Sequence, residues 1–213
     1  AKGMPKTMMK TILLFGSLAI VIWASVRKQK LLRGYAALVL LTLLLGPGLI
    51  VNTVFKDNWQ RPRPIQTAEF GGALQYVPPL IPGDLTGPTA RSFPSGHSSV
   101  AFALCAFWLV FRRRWPALGR QLLAFTIVFG ATIGMARIVA GGHYLSDVLF
   151  SAYFTFFASL FVYHVILGIP RLEDKHVGET VTLREGFVGP WNHWQEQWSG
   201  FTNGGWKVLF QKG

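Results

Sequence analysis

His143 and Asp147 stand four residues apart. If a helix begins near His143, both side chains share one of its faces. A carboxylate against one imidazole nitrogen fixes the tautomer, leaves the other nitrogen free to attack and stabilises positive charge on the ring. Asp147 is the sole acid between Asp84 and Glu173, and an acid at a membrane helix end is costly enough to mark a functional site. His97 closes Pro94-Ser95-Gly96-His97, immediately ahead of an apolar run. A helix N-terminus there offers unpaired N–H groups and positive dipole to an anion. Gly96 lets the backbone approach closely, and Ser95 adds a hydroxyl donor. Lys56, Arg63 and Arg137 supply cations. Arg forks match phosphate oxygens, whereas Lys acts as a point charge. Such groups stabilise the charge that spreads over three equatorial oxygens in phosphoryl transfer.

These residues come from three clusters. They are Lys56-Asp57-Asn58-Trp59-Gln60-Arg61-Pro62-Arg63-Pro64, then Ser92-Phe93-Pro94-Ser95-Gly96-His97, then the stretch from Arg137 to Asp147. Singly, each has an ordinary structural explanation. A membrane-surface His is more often structural, basic residues there usually meet headgroups or water, and His–Asp pairs at helical spacing arise by chance. Together, in order and on one side of a membrane, they form a reactive constellation.

The elements that must bring them together are apolar. Only 14% of the 213 residues are charged and 51% are hydrophobic, against about 25% charged in soluble domains. A span needs about 20 residues, and five stretches qualify: residues 8–26, 31–55, 95–111, 118–138 and 145–169. Gly46-Pro47-Gly48 predicts a kink in the second. The basic groups Arg27 to Arg33, Arg112 to Arg120, and Arg171 with Lys175 all fall on one side of this alternating topology. Positive charge in short loops marks the cytoplasmic side. Residues 56–94 and the turn around Gly141 then face the other way, and all three clusters with them. The expected fold is therefore all-α, a polytopic membrane bundle with its site on the non-cytoplasmic face.

The net charge of +12 suits anionic lipid or a phosphorylated substrate. Nucleic acid fits poorly, because the charges lie in loops between apolar runs. The single cysteine, Cys105, reads as a small buried hydrophobe and excludes an internal disulfide. No dense carboxylate cluster suggests a magnesium or calcium site, so neither metal nor cofactor is expected. Residues 1–170 read as the membrane domain and 171–213 as a cytoplasmic tail. In that tail Trp191, Trp194, Trp198 and Phe201 repeat at helical spacing, as in an amphipathic helix lying at a membrane surface. Lys207 to Gln211 faintly resembles a viral protease site, which Lys212 does not fit.

The three clusters closely resemble the three-part signature of the type-2 phosphatidic acid phosphatase superfamily. Its parts are Lys, six residues, Arg-Pro; Pro-Ser-Gly-His; and Ser-Arg, five residues, His, three residues, Asp. The matches are Lys56, Arg63 and Pro64; Pro94, Ser95, Gly96 and His97; and Arg137, His143 and Asp147. Ala136 stands where the family usually has Ser; that serine is not the nucleophile. The resemblance spans roughly residues 15–169.

It implies a metal-independent lipid phosphatase in which His143 attacks phosphorus and forms a phosphohistidine. Asp147 orients His143, and His97 protonates the departing alkoxide. Lys56, Arg63, Arg137, Ser95 and the Gly96 amide hold the phosphoryl oxygens. Arg91 is a candidate for a second phosphate or headgroup. Family members usually have six spans where this sequence shows five, so an N-terminal helix is expected to be cut off or unseen. The implied substrates are phosphatidic acid, phosphatidylglycerol phosphate, undecaprenyl diphosphate and lipid A, in a bacterial inner membrane with the site facing the periplasm or exterior. Residues 67–90 are expected to shape headgroup choice. A lipid phosphotransferase would share every site residue, and a non-catalytic binder or transporter of anionic lipid would need none of the chemistry. Oligomeric state is not readable from the chain.

Overall fold

The structure, a computed structural model, describes residues 15–19, 21–23, 30–84, 87 and 90–175. The chain divides into two compact units, Ala1–Ile169 and Pro170–Gly213. In the second unit residues 170–175 are helical, and the proposed Trp-rich amphipathic helix lies outside the described residues. Of the first expected span, residues 15–19 and 21–23 are described, and they are helical. The rest of it lies outside.

Helix α1 begins as an α-helix over Lys30–Leu43 and continues as a π-helix over Leu44–Lys56. The Gly46-Pro47-Gly48 break is expressed as this change of winding: Pro47 offers no N–H to an α-helical ladder. Side chains meet the carbonyls of the wider turns. Thr53 Oγ1 donates to Gly48 O at 3.3 Å, and Asn58 Nδ2 to Val54 O at 2.8 Å. Helices α2 (Gly96–Phe102) and α3 (Cys105–Phe111) form the expected third span. They are separated by a tightened turn in which Leu104 N–H reaches Ala101 O and Ala106 N–H reaches Ala103 O.

Helix α4 (Pro116–Val139) opens with a proline, whose missing N–H costs nothing in a first turn. Helix α5 (Leu145–Phe161) runs on as a π-helix over Val162–Ile166. Among the described residues no strand forms; Thr67 and Leu74 make an isolated bridge. Among the described residues three helices, Lys30–Lys56, Pro116–Val139 and Leu145–Ile166, are long and apolar enough to cross a membrane, and Gly96–Phe111 is a shorter apolar stretch. This is a helical membrane bundle. Its outer surface is apolar: Leu149, Tyr153 and Phe157 form an exposed stripe at every fourth residue of α5, the face an all-apolar helix turns to lipid.

The helices alternate in direction. The ends of α1 and α4 and the beginnings of α2 and α5 therefore meet at one end of the bundle. Ser95 N–H donates to Asp147 O at 3.1 Å, joining α2 to α5. Ile65 N–H donates to Gly141 O at 3.2 Å, joining the long loop to the α4–α5 turn. Beneath this end lies an aromatic cluster of Phe55, Trp59, Phe93, Phe150 and Phe154, with Phe55 stacked on Phe154 at 4.6 Å. The opposite end is an apolar core of Leu38, Val39, Leu43, Ala106, Leu109, Val162, Tyr163 and Ile169.

Candidate active site

Asp147 lies in the first turn of α5, fully buried, and every polar atom it presents is used. Its Oδ2 accepts from Ser92 Oγ at 2.5 Å and from the Tyr144 backbone N–H at 2.9 Å. Its Oδ1 accepts from Arg61 Nη1 at 2.5 Å. Its backbone oxygen takes Ser95 N–H and, at 2.7 Å, Ser151 Oγ. One carboxylate thus ties together the long loop, the approach to α2 and the start of α5.

His143 precedes α5 in the α4–α5 turn and is 2% exposed. Its Nδ1 stands 3.5 Å from Asp147 Oδ2 without a hydrogen bond, one of the few buried polar atoms lacking a partner. The spacing of four residues does put the two groups face to face. Burial holds the His143 imidazole below the ordinary histidine range; Asp147 pulls against that shift and the Lys56 ammonium adds to it. The lowered value favours the neutral ring, the form in which an imidazole can act as a nucleophile.

Lys56, the last residue of the π-helix, reaches the opening of α2. A Cβ placed on Gly96 would stand 3.1 Å from both Lys56 Nζ and Asn52 Oδ1. The approach is close, so a larger residue there would press on the Lys56 ammonium and the Asn52 amide. Arg137, in the last turn of α4, folds over the turn toward Gly142: a Cβ on Gly142 would lie 2.6 Å from Arg137 Nη2. The Arg137 Nε is buried without a partner. His97 is half-buried in the first turn of α2. The Ser95 hydroxyl is fully buried and shares a hydrogen bond with Ser98 Oγ at 3.0 Å. Two of the expected residues sit further out. Arg63 is exposed at the edge of the short 3-10 turn Pro64–Gln66. Arg91 is exposed and paired with Asp57. Among the described residues no three His, Cys, Asp or Glu side chains gather as a metal site.

Sequence reasoning assigned no role to Arg61, although it is the largest fully buried side chain among those described. Arg61 and Arg63 belong to one Arg-Pro-Arg-Pro run in which residues two apart play opposite parts, one inside and one out. The signal available in the sequence was Asp147 itself. A solitary buried carboxylate needs a cation, and the first cluster offers three, Lys56, Arg61 and Arg63.

Residues 35–170 match the profile of the PAP2 superfamily. The chain is 37% identical over 123 residues to the lipid A 4'-phosphatase of Francisella tularensis subsp. novicida, covering 57% of this chain and 53% of that protein. It is 38% identical over 136 residues to the lipid A 4'-phosphatase of Rhizobium leguminosarum, covering 62% and 54%. It is 36% identical over 151 residues to that of Rhizobium etli, covering 70% and 52%. The chain spans about half the length of the curated relatives it matches. No solved structure matches it. The family match runs from α1 through α5 and takes in all three clusters: the chain belongs to the PAP2 superfamily.

Proposed function

We propose that this protein is a lipid phosphatase, releasing phosphate from a membrane lipid of the lipid A phosphate class at the non-cytoplasmic face. The observation that carries this reading is the buried imidazole of His143 facing Asp147 in a site with Lys56 and Arg137. The His143 Nε2 lone pair attacks phosphorus, and the bond from phosphorus to the lipid oxygen breaks. His97 gives its proton to the departing alkoxide, then takes one from the water that cleaves the phosphorus–nitrogen bond. Inorganic phosphate leaves and His143 returns to its neutral form. Lys56, Arg137, Arg63, the Ser95 hydroxyl and the Gly96 amide hold the phosphoryl oxygens, and Arg91 meets the headgroup. No cofactor takes part.

The substrate class rests on the activity for which the relatives are named and on the apolar bundle that carries the site. The face rests on the basic loops at the opposite end. Residues 1–170 form the phosphatase domain, and 171–213 a tail at the cytoplasmic surface of a bacterial inner membrane.

The test is phosphate release from a panel of purified lipid phosphates in detergent, lipid A, phosphatidic acid and undecaprenyl diphosphate among them. His143→Ala protein is the control, and an acceptor lipid is added in a second arm. Release from a lipid phosphate that is lost in His143→Ala, survives EDTA and stops with vanadate supports the reading. Transfer to the acceptor in place of release makes the protein a phosphotransferase. Equal turnover by His143→Ala overturns the mechanism.

A further inference from the structure

We propose that Arg61 is a positioning residue for the reaction, acting through Asp147 to present a charged and fixed carboxylate to His143. The proposal rests on the phosphatase reading above.

The geometry begins with a reversal of the chain. Gln60 adopts a left-handed conformation at φ 47, uncommon for a residue other than glycine. The turn is held from both sides: Ala90 N–H donates to Gln60 Oε1 at 2.9 Å, and Gly83 N–H to Trp59 O at 2.8 Å. Arg61 follows this turn and is buried, whereas Arg63, two residues on, is exposed. Once inside, the guanidinium has a partner on each nitrogen. Nε donates to Val77 O at 2.8 Å, and Nη2 to Tyr76 Oη at 3.3 Å. Nη1 serves Ser146 Oγ at 2.9 Å and Asp147 Oδ1 at 2.5 Å. Its plane lies over the Tyr144 ring at 4.2 Å from the centroid. The Arg61 backbone oxygen accepts Ser92 N–H at 2.9 Å, and Ser92 Oγ donates to Asp147 Oδ2. Arg61 and Ser92 thus grip the two oxygens of one carboxylate from a single closed ring of hydrogen bonds.

The consequence is directional. With Oδ1 taken by Arg61, only Oδ2 is left to face His143 Nδ1. The charged groups around the carboxylate are Arg61 from the loop and His143 from the α4–α5 turn, with Lys56 from α1 facing His143 in turn. Arg61 is the one of these that is hydrogen-bonded to the carboxylate. Without it, a buried carboxylate favours its neutral form, and a neutral acid no longer stabilises positive charge on His143. Four of the five guanidinium N–H groups are held by protein groups and the side chain is fully buried, so phosphate has no open approach to it. Its loss should therefore act on turnover and leave substrate binding nearly alone.

The experiment compares Arg61→Met and Arg61→Lys in the wild-type and Asp147→Asn backgrounds, reading kcat, KM, the pH profile and Tm. Arg61→Met should lower kcat on the order of 100-fold with KM within about threefold, and move the acid limb of the profile upward. Arg61→Lys should recover part of the loss, because the charge returns without the fork. In the Asp147→Asn background, Arg61→Met should change kcat by less than about threefold, since the group it acts through is already neutral. Multiplicative losses in the double variant, or a loss confined to KM, would overturn the proposal. If Arg61→Met fails to fold, Arg61→Lys carries the same comparison. The Tm cycle over the four proteins reads the Arg61–Asp147 coupling without any substrate. A coupled Tm cycle with no phosphate release by wild-type protein would sink the phosphatase reading and keep the pair. An additive Tm cycle beside active wild-type protein would do the reverse.

Discussion

At one end of the bundle Leu38, Leu43, Leu109, Val162 and Ile169 are buried against one another. At the other, Arg61, Ser92, His143 and Asp147 are buried as completely, yet each is tolerable there only because of a neighbour. Apolar packing depends on volume, and a truncated side chain costs its transfer free energy plus a cavity. The polar end depends on pairing. Removing one partner leaves a buried charge, a larger penalty than the pair's net worth. Stability and chemistry are thus separable at the apolar end and fused at the polar one.

The largest expected effect breaks both at once. Asp147→Ala strips the partner from Arg61 and the orienting group from His143. It should cost about 3–5 kcal/mol in unfolding free energy and reduce kcat by about 10³–10⁴-fold, read by thermal denaturation and phosphate release on one preparation. Leu109→Ala sharpens the contrast from the other end. It should lose about 2–5 kcal/mol while kcat below its melting range stays within about twofold.

A smaller effect is a matter of pH. Burial lowers the folded-state pKa of His143, so the ring stays neutral into mildly acidic solution. The acid limb of kcat/KM should have its midpoint below the ordinary value of about 6.5. The sign for stability follows from linkage. The unfolded chain takes up the proton first as pH falls, so this contribution is complete above about pH 6.5 and is lost as pH drops through that value toward the lower folded pKa. A midpoint above 6.5 would show His143 held as the cation by Asp147. The smallest effect belongs to the surface. Arg91 and Asp57 form an exposed pair, each about half accessible, and such pairs contribute about 0–1 kcal/mol. Arg91→Ala should leave Tm unchanged and raise KM for a bulky phosphorylated headgroup more than for phosphatidic acid; equal KM values would remove Arg91 from headgroup recognition.

Much of the polar end was legible in the sequence because its parts are local. The four-residue spacing of His143 and Asp147, the glycine ahead of His97 and the basic residue at the end of α1 each encode their own placement. Helix order was legible from apolar run length, which fixes which ends meet. The division of labour between Arg61 and Arg63 was not. It depends on the left-handed turn at Gln60, which is held by Gly83 and Ala90 far along the chain. Gly46-Pro47-Gly48 marked an irregularity in α1, whereas the break between α2 and α3 was hidden, since apolar composition is the same on either side of it.

The most direct measurement is of the covalent bond the mechanism requires. Lipid phosphate labelled with 32P is mixed in a single turnover with His97→Ala protein, in which formation and hydrolysis of the intermediate are both slowed, and is sampled over many wild-type turnover times. The protein is quenched in alkali, where a phosphorus–nitrogen bond survives, and digested for mapping. Label on the peptide that contains His143, absent when His143→Ala is added to His97→Ala, is the expected result. Phosphate released at the normal rate with no labelled protein, or label on a residue other than His143, would contradict His143 as the nucleophile.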